Sequence, residues 1–96
     1  MSSWKAHERQ VAKKLGGQRV SRGADFGESA PDVLHDRFSI ECKYRSKISQ
    51  FLKDAHKQAA EYDKEKIPLV VLKERGMHGE FVLMKLDDFT KLLEVE

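Results

Sequence analysis

The stretch Pro31-Asp32-Val33-Leu34-His35-Asp36-Arg37-Phe38-Ser39-Ile40-Glu41-Cys42-Lys43-Tyr44-Arg45 decides how this chain is read. Side chains on a strand alternate between its two faces. Read as a strand, Phe38 to Arg45 turns Phe38, Ile40, Cys42 and Tyr44 one way, toward a core. Ser39, Glu41, Lys43 and Arg45 then point the other way. A carboxylate and an ammonium on a strand that otherwise reads as buried are costly unless paired or bound to a cation. Asp32 to Leu34 reads as the neighbouring strand, joined through a tight turn at His35-Asp36-Arg37. Pro31 is tolerated at a strand start, where no ladder donor is needed. Pairing the two strands brings Asp32 near Glu41 and Lys43. Two carboxylates so placed suit Mg²⁺, which prefers a few oxygen ligands, several waters and a phosphate.

Working outward, residues 4–15 read as a helix with Trp4, Val11, Ala12 and Leu15 on one apolar stripe, ended by Gly16-Gly17. Glu8 falls inside that stripe. It either reaches solvent or pairs with a local arginine, or it supplies a third carboxylate to the metal site. Residues 18–22 read as a short strand and residues 23–30 as a loop. A second helix over 48–64 presents Ile48, Phe51, Leu52, Ala55, Ala59 and Tyr62 as its buried face. Gln58 lies on that face, as a satisfied core amide or as a functional group. Leu69-Val70-Val71-Leu72 reads as a strand buried on both faces. A turn at Arg75 to Gly79 leads to an alternating strand from Glu80 to Leu86. Asp87 would cap a last helix ending near Leu93.

Pro31-Asp32, an eight-residue spacer and Glu41-Cys42-Lys43 together resemble the core motif of the PD-(D/E)xK nuclease superfamily. Glu8 before the motif, the segment Gly17 to Gly23, and Gln58 with Tyr62 after it resemble the archaeal-type Holliday-junction resolvase and small phage nuclease branches. The resemblance spans residues 4–73. It implies an α/β fold, a single domain over residues 1–96 with a restriction-endonuclease-like core. That core is a mixed five-stranded sheet flanked by helices in the order αβββαββα, the second helix crossing over between parallel strands. It also implies a Mg²⁺-dependent endodeoxyribonuclease of recombination or repair, with Mn²⁺ able to substitute. The metal ligands would be Glu8, Asp32, Glu41 and the Cys42 carbonyl. Lys43 would hold the attacking water, and Gln58 would orient a water, a ligand or the substrate phosphate. Arg22, Arg45 and Lys47, with the basic residues Lys13 and Arg19, would contact DNA phosphates. The substrate would be branched or structured DNA, cut by a homodimer in the junction-resolving version. Phe81, Val82, Leu83, Met84, Phe89, Leu92 and Leu93 are the candidate dimer surface, or else simply close the core. The chain is shorter than the junction resolvases, so a flap, nicking or single-strand nuclease, or a catalytically silent nucleic-acid-binding module, stands beside that version.

Composition bounds these readings. Ninety-six residues with 35% charged and 40% hydrophobic side chains make one small core and little more. A net charge of +2 neither demands nor excludes nucleic acid, so the clustering of Lys13, Lys14, Arg19 and Arg22, and of Lys43, Arg45 and Lys47, carries more weight. One cysteine allows no internal disulfide, and no leader or membrane-length apolar run is visible. The expected location is cytoplasmic, including a host cytoplasm for a phage-encoded protein. His7, His35, His56 and His78 form no zinc pattern with Cys42. No serine has evident His/Asp support for covalent catalysis.

Overall fold

A computed structural model describes residues 3–20 and 30–94. The elements are α1 (Ser3–Leu15), β1 (Gln18–Arg19), β2 (Val33–Leu34), α2 (Gln50–Tyr62), β3 (Val70–Leu72), β4 (Phe81–Leu83) and α3 (Leu86–Glu94). The chain divides into two compact units, Met1–Ser46 and Lys47–Glu96.

In the first unit α1 packs on β1 and β2. Its apolar stripe supplies Val11 and Ala12, which are buried with Val33 of β2. Gly16 takes a positive φ of 75°. Gly17 N–H returns to the Ala12 carbonyl at 2.8 Å, closing the helix end as a Schellman motif does. Gly17 also has no room for a side chain: a Cβ there would meet the Leu34 carbonyl oxygen at 2.5 Å and Val33 Cγ1 at 2.7 Å. The glycine pair thus ends α1 and lets the chain turn closely against β2. His35 fixes the same corner, its Nε2 lying 2.8 Å from the Leu15 carbonyl while its Nδ1 accepts the Arg37 N–H at 3.0 Å. That pattern assigns the Nε2–H tautomer.

β1 and β2 pair antiparallel, Gln18 with Leu34 and Arg19 with Val33. Beyond β2, Val33 bridges to Ile40, and the Asp32 N–H donates to the same Ile40 carbonyl region at 3.0 Å. Two consecutive residues therefore face Ile40, the arrangement of a β-bulge, which re-aims a side chain and ends a ladder.

In the second unit α2 packs on β3, and β3 pairs antiparallel with β4 in the register Val70–Leu83, Val71–Val82 and Leu72–Phe81. Val71 and Val82 face the same way in this register and stay exposed. α3 begins with Asp87 and Asp88 in its first turn, where carboxylates favour the helix dipole.

The five-stranded mixed sheet is not formed. Among the described residues two separate two-stranded antiparallel sheets stand in its place, and the element order is αββαββα. The expected strand over Phe38 to Arg45 contributes only the bridge at Ile40. From Glu41 to Arg45 every residue except Cys42 is exposed, so there is no buried face to offset the ordering of a ladder. Nor is β3 buried on both faces: Leu69 and Val71 are exposed, so it is covered on one side only. No parallel pair occurs among the described residues, so α2 makes no crossover between parallel strands. Gln58, expected on a buried face, is exposed, as are Phe51 and Tyr62 on either side of it. A hairpin with strands of three residues covers one side of a helix, and the rest of the α2 stripe faces outward.

Candidate functional site

The first unit brings the two halves of the acidic motif together. Asp32 Oδ2 accepts the Cys42 N–H at 2.6 Å, pinning Glu41-Cys42-Lys43 beside Pro31-Asp32.

Glu8 is the acid contributed by α1. Its carboxylate accepts from Arg19 Nε at 2.9 Å, with side-chain exposures of 12% for Glu8 and 19% for Arg19. The Arg19 guanidinium also lies 6.0 Å from the Trp4 ring centre, so it sits against two residues one helical turn apart. Pairing with a local arginine, one of the options open for Glu8 in the sequence, is thus realised. Arg19 is thus engaged with Glu8.

Glu41 and Lys43 form an open ion pair at 3.2 Å, with exposures of 64% and 66%. Such a pair contributes about 0–1 kcal/mol and leaves both groups accessible. Cys42 between them is half-buried. Burial first, then the charges of Asp32, Glu8 and Glu41, push its thiol pKa above the ordinary 9.0.

Among the described residues, no group of three or more His, Cys, Asp or Glu side chains is arranged to hold a metal ion. Mg²⁺ asks for less than that: one or two carboxylates, waters and a substrate phosphate suffice. The donors present are hard oxygens, and each carboxylate has about four acceptor positions, more than its present partner uses.

The remaining expected residues are distributed as follows. Lys13 is exposed near the end of α1, and Arg45 is exposed two residues after Lys43. Arg22 lies outside the described residues. Lys47 and Gln58 belong to the second unit, where both are exposed. Phe81, Val82 and Leu92 of the expected dimer surface are exposed at 68%, 62% and 48%, whereas Leu83, Met84, Phe89 and Leu93 are half-buried.

Sequence reasoning missed Tyr44. Strict alternation placed it inward with Cys42, yet it is 56% exposed and its ring stands 5.7 Å from that of His7. The polar run Lys43-Tyr44-Arg45-Ser46-Lys47 was the available sign that the strand pattern had ended.

Comparison with family models, with curated proteins and with solved structures gives no match. Among the described residues no helix is long and apolar enough to cross a membrane.

Proposed function

We propose that the chain is a metal-dependent endonuclease hydrolysing phosphodiester bonds in DNA. The observation that carries this reading is the Asp32 carboxylate on the Cys42 N–H at 2.6 Å, which joins the two separated parts of the acidic motif. The part-buried Glu8 on the facing helix and the accessible Lys43 support it. A bound divalent ion supplies a more acidic water and polarises the phosphate.

The chain's own groups have separate tasks. Asp32 and Glu41 provide the negative charge that gathers the ion. Arg19 holds the Glu8 carboxylate in place on α1. Lys43, exposed, places a positive charge beside the attacked phosphate and holds the water that attacks it. Arg45 and Lys13 contact neighbouring phosphates, which orients the strand without reading its bases. The exposed Phe81, Val82 and Leu92 favour a second copy as partner, and hence a branched substrate cut at two sites.

The test is cleavage of labelled junction, flap, duplex and single-stranded DNA in Mg²⁺ and Mn²⁺, with Asp32→Asn and Lys43→Ala as controls. Metal-dependent cutting lost in both variants is the expected result. Cutting that survives Asp32→Asn would reject the site. Strand binding without any cutting by the wild type would favour a silent binding module.

A further inference from the structure

A cleft of about 500 Å³ opens in the first unit between the N-terminal half of α1 and Tyr44. Ala6, His7 and Gln10 form its floor, being three and four residues apart on one helix face. Lys5 and Arg9 lie beside that floor, and among the described residues no carboxylate lines the cleft. Lys5 lies 5.4 Å from the Trp4 ring centre. The His7 and Tyr44 rings are inclined at 44°, so they form an open wedge rather than a closed stack. Tyr44 presents more than half its surface to solvent, although nothing in the acidic motif requires an aromatic residue there.

We propose that this cleft binds one unpaired nucleotide of a DNA strand, its base against the Tyr44 ring and its phosphate between Lys5 and Arg9. Three features of the cleft lead to that ligand. An exposed aromatic face accepts any base by stacking, and flanking cations track the backbone, the combination used by single-strand binding surfaces. The volume lies in the range of about 300–1,000 Å³ that small-ligand pockets occupy. Gln10 and His7 offer both donors and acceptors to a base edge. A duplex cannot supply this ligand, because its bases keep their faces stacked on one another and show only their edges. Tyr44 directly follows Lys43, so a nucleotide held there puts an unpaired stretch of strand beside the acidic motif. The choice of DNA as the polymer rests on the nuclease reading; the stacking and the charge do not. The substrate class that follows is DNA with an unpaired strand at the cut, such as a flap, a loop or an opened junction.

Fluorescence anisotropy with a labelled oligothymidylate and a labelled duplex, both in EDTA, tests the proposal without cleavage. The wild type should prefer the single strand. Tyr44→Ala should weaken that binding by roughly ten-fold or more and leave duplex binding unchanged, while Tyr44→Phe keeps it. Lys5→Ala and Arg9→Ala should each flatten the dependence of strand binding on salt. Circular dichroism confirms that the Tyr44 variants remain folded, as the exposure of that ring leads one to expect. Thymidine monophosphate should displace the labelled strand only at far higher concentration. Displacement at equal concentration would assign the cleft to a free mononucleotide and overturn the strand proposal. Equal affinity of Tyr44→Ala and wild type for the oligothymidylate would also overturn it. A protein that cuts no DNA can pass this test and one that cuts can fail it, so the two readings fail separately.

Discussion

Replacing Asp32 separates its structural task from its chemical one. In Asp32→Ala the Cys42 N–H loses its acceptor, and the donor is left part-buried. In Asp32→Asn a neutral carbonyl oxygen takes over. Both variants remove the same negative charge from the neighbourhood of Glu8 and Glu41, so relief of repulsion is common to them. What distinguishes them is the hydrogen bond itself, about 1–2 kcal/mol for a neutral bond set against an unsatisfied donor. A domain of 60–100 residues shifts its Tm by ~4–8 °C per kcal/mol. Asp32→Ala should therefore melt roughly 4–16 °C below Asp32→Asn. The assay is thermal melting followed by Trp4 fluorescence, because the only tryptophan lies on the helix that packs against β2. The same melts in Mg²⁺ read the chemistry. At ten times the dissociation constant a specific ion stabilises by RT ln 11, about 1.4 kcal/mol, or ~6–11 °C. The wild type should show that rise and both variants should lose it. Coincident melting of the two variants would refute the structural role of the bond. A full Mg²⁺ shift in Asp32→Asn would refute the metal site.

Three further outcomes are expected. Gly17→Ala should destabilise by about 1–3 kcal/mol, because its methyl group would press on the Leu34 carbonyl and the fully buried Val33; urea titration checks this, and an unchanged midpoint would show that α1 and β2 are not so closely apposed. Lys43→Ala should abolish cleavage while moving stability by less than about 1 kcal/mol, since its ion pair with Glu41 is largely solvent-exposed; parallel cleavage and melting assays check it. For Cys42, the thiol pKa is raised in the folded state, so the native protein holds the proton longer than the unfolded chain does. Its contribution to stability is complete below pH 9.0 and is lost as pH rises through the raised value. Iodoacetamide labelling against pH should accordingly show a midpoint above 9.0 that falls in Asp32→Asn, where one of the raising charges is gone.

Much of the local structure was legible from spacing alone. The first helix and its stop at Gly16-Gly17, the second helix within residues 48–64, and the approach of Asp32 to Glu41-Cys42-Lys43 all follow from periodicities and loops a few residues long. Those signals are local, so they persist whatever else the chain packs against. Gly17 was read as a helix stop, and only its distance to β2 shows that a methyl group has no place there. Glu8 shows the limit of such reasoning. Its place on the apolar stripe identified it as a residue needing a partner, but an angular position on a helix does not say which partner arrives.

The amino-acid order by itself determined where the helices lie, although Asp87, expected to cap the last one, falls inside its first turn, and which acids stand close along the chain. Tertiary structure decided that Arg19 closes on Glu8, that Tyr44 turns outward to His7, and that the strands make two small antiparallel sheets. The physical reason is that alternation defines two faces of a strand without naming what covers either. Burial is a property of neighbours, and in so short a chain there are too few of them to cover both faces of every strand and the whole stripe of α2. Residues such as Leu69, Val71 and Phe51 carry a core pattern and yet remain exposed.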